Sequence, residues 1–368
     1  MSVETVKISI TKQILLGLLG LVIILLAIEI LSYVILDQRD SCNQSLPMSG
    51  LYEQLDVNEL KKICQDYKSI IQYPLPIIHY EPNQRSDTVN INSYGFRGND
   101  FEKEKLNEEE FRIFVLGGSV LYGLYSTSDE TTISGYLQNY FDESNANYNV
   151  NVINAGANGH SSFDETILIK NKILDLDPDL IIVFDGWNDL AKPIMETSDE
   201  YAEMEKFAQY SLVIRKYYKT IQLYELVERI WEKQFVKTVN TEPNIENMQE
   251  KGNLWQKRWN EICELSQKEN FDIILTLQPY LGGGDKPLTE WEKKSFKEFE
   301  HMSPSSSYYI MKEKLGELDN CSTTKDLTKI FDTENELIYF DYVHFGDKGN
   351  KIVAKELFDI SSPLLKNK

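Results

Sequence analysis

Phe111-Arg-Ile-Phe-Val-Leu-Gly-Gly-Ser119 reads as a strand that ends in a glycine turn carrying a serine. The same pattern recurs downstream. Val150-Asn-Val-Ile153 leads into Asn154-Ala-Gly156, and Leu180-Ile-Ile-Val-Phe184 leads into Gly186-Trp-Asn188-Asp. Between these runs, Ile133, Tyr136, Leu137 and Tyr140 stand at helical spacing and predict a helix over 131–141. Helices are also expected over 164–176, 255–267 and 348–365, with a further strand at 272–277. Continuous apolar runs such as 180–184 belong to strands buried on both faces. The alternation predicts a mainly parallel sheet with helices on both sides, an α/β fold.

Parallel sheets bind ligands beyond the carboxyl ends of their strands. Ser119, Gly156 and Asn188 each follow such an end, so the fold should bring them together. Asp341-Tyr-Val-His344 precedes the last helix and is free to fold back over the same edge. Ser119 is the candidate nucleophile. His344 is the candidate base, with Asp341 three residues earlier to fix its tautomer. The Ser119 and Gly156 N–H groups and the Asn188 amide are candidate donors to an oxyanion. Gly118, Asn158, His160 and Trp187 are candidate pocket residues. Asn188-Asp189 would serve equally as a helix cap, Trp187 as packing, and Gly282-Gly-Gly284 as a plain turn or a rim loop. The serine turn is neither a Gly-x-Ser-x-Gly elbow, since position 121 is Leu, nor a phosphate loop, since no Lys-Ser/Thr follows Gly123.

With these blocks in order, the chain resembles the SGNH (GDSL-type) hydrolase family. Ile91-Asn-Ser-Tyr-Gly-Phe-Arg-Gly98 also looks like the lead-in of a membrane-anchored branch. The resemblance covers about residues 80–360. It implies a three-layer α/β/α sandwich of flavodoxin-like type, no metal and no cofactor. It also implies ester hydrolysis through an acyl-enzyme on Ser119, with carbohydrate O-acyl groups and small or lipid esters in the family's range. A glycan O-acyltransferase with the same residues, or a silent glycan-binding protein, are the alternatives. Gly118 departs from the family, standing where the Gly-Asp-Ser form has aspartate.

Residues 14–36 are apolar apart from Glu29 and Ser32, long enough for one transmembrane helix. Lys7 and Lys12 precede it and point to a cytoplasmic tail over 1–13. An uncleaved anchor is favoured over a signal peptide, because no small-x-small cleavage site follows. The expected plan is a juxtamembrane lead-in over 37–90 and an extracytoplasmic hydrolase domain over 91–368. A helical insertion at about 190–250, with Val213, Tyr217, Ile221, Tyr224 and Trp231 at roughly helical spacing, is read first as packing on the sheet or capping the site. Binding the membrane surface is the second reading, disfavoured because Lys216 and Lys219 sit among many acids. Tyr73-Pro-Leu-Pro76 must be extended.

The net charge is −20, which excludes nucleic acid as an expected partner and leaves an ester substrate and the bilayer. Four cysteines lack CxxC spacing. Pairing Cys42 with Cys64 and Cys263 with Cys321 keeps the loops short, and free buried thiols are the alternative.

Overall fold

The computed structural model describes residues 9–38, 46, 49–73, 79–144, 148–191, 221–224, 226–227, 230, 245–299 and 304–365. The expectations for Cys42, for the 74–76 prolines and for most of the 190–250 insertion lie outside these residues. The chain divides into two compact units, Met1–Gln44 with Tyr210–Glu242 and Ser45–Gln209 with Pro243–Lys368.

The first unit holds α1 (Ile10–Gln38), whose 27-residue apolar stretch Ile10–Leu36 is long enough to span a membrane. A signal sequence near an N-terminus meets the same criterion of an apolar helix. Its acid, Glu29, accepts hydrogen bonds from the N–H groups of Gln222 (2.5 Å) and Leu223 (3.0 Å), at the start of a helical stretch. The Glu29 carboxylate thereby answers N–H groups that a helix start leaves without acceptors.

The second unit is built on five parallel strands. These are β5 (Glu110–Gly117), β6 (Asn149–Asn154), β7 (Leu180–Asp185), β8 (Asp272–Leu277) and β9 (Thr323–Asp326), in the order β6-β5-β7-β8-β9. β5 and β7 are buried along their whole length, as their apolar runs require, while β6 and β9 at the edges are partly exposed. The chain leaves β5 for β6 on one side and then crosses to β7 on the other. The carboxyl end of β5 is therefore the switch point of the sheet, where an open α/β fold leaves a crevice. Ser119 is the second residue beyond that end.

Helices flank the sheet to complete the three-layer sandwich. α4 (Ile133–Glu143) and α10 (Asp347–Leu365) pack together, and α4 also covers β6. α5 (Ser162–Leu168), α7 (Ile245–Glu269) and α9 (Pro304–Gly316) form the other group, α7 filling it with fully buried Trp255 and Trp259. The helix expected over 164–176 is shorter. After Leu168 it opens into a π-helical turn (Ile169–Ile173) and a 3₁₀ turn (Leu174–Leu176). It stops because Asp177, left-handed at φ 52°, precedes Pro178, which disfavours α geometry in the residue before it. The disulfide joins Cys263 to Cys321 across 58 residues, and Cys64 is also disulfide-bonded.

The lead-in folds with this unit. It comprises α2 (Val57–Ser69), the antiparallel pair β1 (Gln72–Tyr73) and β2 (His79–Tyr80), and a second pair, β3 (Gln84–Arg85) and β4 (Asn90–Ile91). Asp56 starts α2 with a capping box, its carboxylate accepting from the N–H groups of Asn58 and Glu59 while Glu59 answers the Asp56 N–H. Arg97 joins this segment to the body. It pairs with Asp129 at 2.7 Å and donates to the carbonyls of Thr88, Tyr122 and Gly123.

Candidate active site

The turn after β5 places Ser119 as the first residue of a one-turn helix, α3 (Ser119–Tyr122). Its Oγ lies 2.7 Å from His344 Nε2, and His344 Nδ1 lies 2.8 Å from Asp341 Oδ2. One Asp341 oxygen shapes the loop, accepting from the N–H groups of Val343 (2.9 Å) and His344 (2.8 Å), and the other orients the imidazole. Burial alone would raise the Asp341 pKa. The charge of His344 and the three hydrogen bonds outweigh it and hold the carboxyl below the usual carboxylate range.

The loop is supported from behind. Glu292, in α8 (Glu290–Phe299), accepts from the N–H groups of Ile338 and Tyr339 and pairs with buried Lys286 at 2.8 Å. Beside His344 stands Tyr125, its ring centroid 6.0 Å away in an edge arrangement and 4.4 Å from that of Phe340. Tyr125 has φ 68°, a left-handed conformation unusual for a bulky residue, and its carbonyl accepts a 2.8 Å hydrogen bond from Tyr52.

The donor side is built by α6 (Trp187–Ala191) and the loop after β6. Asn188 Nδ2 donates to the His160 carbonyl at 2.6 Å and keeps a second N–H. The same amide explains Gly118, because a Cβ there would stand 2.4 Å from Asn188 Nδ2. Asp189 is buried and accepts from the N–H and hydroxyl of Ser162, with Arg258 3.6 Å away. Asp185, at the end of β7, accepts from Trp255 Nε1 at 2.9 Å. Burial, and then the charge of Asp189, push the Asp185 pKa well above the carboxylate range. Burial raises the Asp189 pKa as well, so the two acids form a pair of raised pKa at the helix that carries Asn188.

Gly156 stands differently from its sequence reading. Its N–H donates to Asn154 Oδ1 at 3.1 Å, which occupies it. Further along the loop, Gly159 adopts φ 78°, and among the described residues no group accepts its N–H. The loop is held against the serine turn, since the Ala157 N–H donates to the Gly117 carbonyl at 3.0 Å. Gly159 was missed because Asn154-Ala-Gly156 offered the nearer glycine, although Asn158-Gly159 is itself a turn signal. Asn158 is turned toward the lead-in, where Tyr80 and Gln72 bind its backbone and Tyr67 its amide. His160 is buried and brings its carbonyl to the site. Trp187 is half-buried, its centroid 4.9 Å from that of Tyr342.

A sequence model of the GDSL-like lipase/acylhydrolase family matches residues 115–304, just over half of the chain. The chain belongs to that family. It is therefore an ester hydrolase. Solved structures of similar fold include the acetyl xylan esterase AlAXEase (16% identity, 68% of this chain and 99% of that one, TM-score 0.40). They also include Axe2, an acetylxylan esterase from Geobacillus stearothermophilus (14% identity, 68% and 93%, TM-score 0.39). A third is a two-domain esterase active on acetylated mannans (13% identity, 70% and 50%, TM-score 0.40). No curated protein sequence matches the chain.

Proposed function

We propose that the chain hydrolyses carboxylic esters with Ser119 as nucleophile, His344 as general base and Asp341 as its orienting acid. The observation that carries this is the continuous line of hydrogen bonds, 2.7 Å from Ser119 to His344 and 2.8 Å from His344 to Asp341. Oγ attacks the ester carbonyl as its proton passes to Nε2. The tetrahedral intermediate collapses, and the same proton leaves with the alcohol. Water then attacks the acyl-enzyme, gives its proton to His344, and the acid departs as Ser119 recovers its hydrogen. The developing oxyanion would be held by the Ser119 N–H, the Asn188 amide and the Gly159 N–H, the last in place of Gly156.

The substrate we propose is an O-acyl ester of a carbohydrate or another small alcohol. Trp187 with Tyr342 beside it, and Tyr125 beside His344, are half-buried aromatic residues with polar tips, suited to a ring that is apolar on its faces and hydroxylated at its rim. We further propose that α1 is an uncleaved anchor with residues 1–13 in the cytoplasm and the hydrolase domain outside. Lys7 and Lys12 before α1 and the disulfide-bonded cysteines after it support that orientation.

The test uses the full chain in detergent. Release of p-nitrophenol from p-nitrophenyl acetate and covalent labelling of Ser119 by a fluorophosphonate are the expected results. A folded protein that shows neither would remove the reading.

A further inference from the structure

Gln72 and Tyr80 are register partners in the β1–β2 pair, so their side chains leave the ribbon on one face. Both reach the same residue. The Tyr80 hydroxyl accepts the Asn158 N–H at 3.0 Å, and Gln72 Nε2 donates to the Asn158 carbonyl at 2.8 Å. Tyr67, from α2, takes the Asn158 side-chain amide. Three elements of the lead-in thus close on one loop residue, and all three lie before residue 115, where the family match begins.

The Asn158 carbonyl and the Gly159 N–H belong to a single peptide unit. That unit is planar and trans, so its C=O and N–H point in opposite directions. A hydrogen bond that draws the carbonyl toward Gln72 therefore aims the Gly159 N–H away from the lead-in. The same loop borders the serine turn. The loop bonds to the Gly117 carbonyl through Ala157, and the His160 carbonyl lies 3.5 Å from where a Gly118 Cβ would be. A donor on the carbonyl also polarises the peptide and strengthens its N–H as a donor. Glycine at 159 has no side chain to pin its backbone, and φ 78° is one of several conformations open to it. Its direction has to be imposed from outside. The ribbon is itself seated on the nucleophile's helix, where Tyr80 stacks on Tyr122 with centroids 4.6 Å apart.

We infer that Gln72 is a positioning residue for ester hydrolysis, holding the Asn158–Gly159 peptide so that its N–H meets the oxyanion. This rests on the functional reading above and extends the machinery of the site into the membrane-proximal segment. Gln72 touches no reacting atom. Its removal should act on the transition state and spare substrate binding.

The experiment compares wild type with Gln72→Met, which keeps length without the donor, and Gln72→Glu, which keeps shape and replaces donor by acceptor. Full-length proteins in detergent are assayed for kcat and KM on p-nitrophenyl acetate and for inhibition by a phenylboronic acid, whose tetrahedral adduct on Ser119 places an oxygen in the same hole. Both variants should lose kcat by roughly tenfold, less than the 10²–10³-fold of deleting a donor outright. Boronate affinity should weaken by a similar factor, with KM and Tm close to wild type. Wild-type kcat and boronate affinity in either folded variant would overturn the inference, as would a rise in KM alone. Should one variant fail to fold, the other decides. Wild type that neither turns over nor labels at Ser119 would sink the functional reading and this inference with it, whereas active wild type with unaffected variants sinks this inference alone.

Discussion

His344 Nε2 stands 2.7 Å from Ser119 Oγ across 225 residues of chain. The contact joins the carboxyl end of β5, the switch point of the sheet, to the loop before α10. Ser119→Ala and His344→Ala should each lower kcat by about 10³-fold or more, and the double variant should fall little further, because the two act as one unit. Turnover of p-nitrophenyl acetate measures this, and additive losses would contradict it.

Gly118 should tolerate no side chain. A Cβ would come within 2.4 Å of Asn188 Nδ2, so Gly118→Ala must push that amide off its line. We expect kcat to drop by about 10²-fold, the order of losing one oxyanion donor, with Tm changed little. Gly118→Asp, the residue of the Gly-Asp-Ser form, should do no better in this chain. Wild-type rates in either variant would show that Asn188 is free to move aside.

Asp185 sets a pH dependence of stability whose sign follows from its raised pKa. In the unfolded chain this carboxyl ionises near pH 4. In the folded protein, burial first and then the charge of Asp189 keep it protonated well above that. The native state therefore holds a proton that the unfolded state has lost, and this group's contribution to stability falls as pH rises above about 4. Asp185→Asn keeps an acceptor for Trp255 and a donor toward Asp189, with no proton to lose. Its Tm should decline less steeply than wild type when pH is raised from 4 to 8, as read by calorimetry.

The disulfide between Cys263 and Cys321 ties the end of α7 to the segment before β9. Closing a loop of 58 residues is worth about 4 kcal/mol on the chain-entropy estimate. Cys263→Ala/Cys321→Ala should lower Tm, while kcat at 25 °C is retained because neither cysteine touches the site. A loss of kcat in folded protein would indicate a longer reach.

Much of this arrangement was legible in the residues. The apolar runs at 111–116, 180–184 and 272–277 mark strands at the centre of the sheet, the alternating Val150-Asn-Val-Ile153 marks an edge strand, and all four lie within β5 to β8. β9 was not legible. Thr323-Thr-Lys-Asp326 is a partly exposed edge strand without an apolar run, so no pattern distinguishes it from loop. Nor does the lead-in advertise its role, because Tyr67, Gln72 and Tyr80 follow no periodicity and matter only through their partner at 158.

The order of the polypeptide by itself determined that a serine, a histidine–aspartate pair and an asparagine would stand at strand ends and loops of one parallel sheet, since local apolar patterning dictates where strands stop. Only the tertiary structure decided which amide hydrogens are free to act. Asn154 occupies Gly156, and Gln72 turns the peptide before Gly159, through hydrogen bonds to partners on the same strand end in one case and 86 residues away in the other. The direction of an N–H depends on a backbone dihedral and on what holds the adjoining carbonyl, and neither is written in residue types or their spacing.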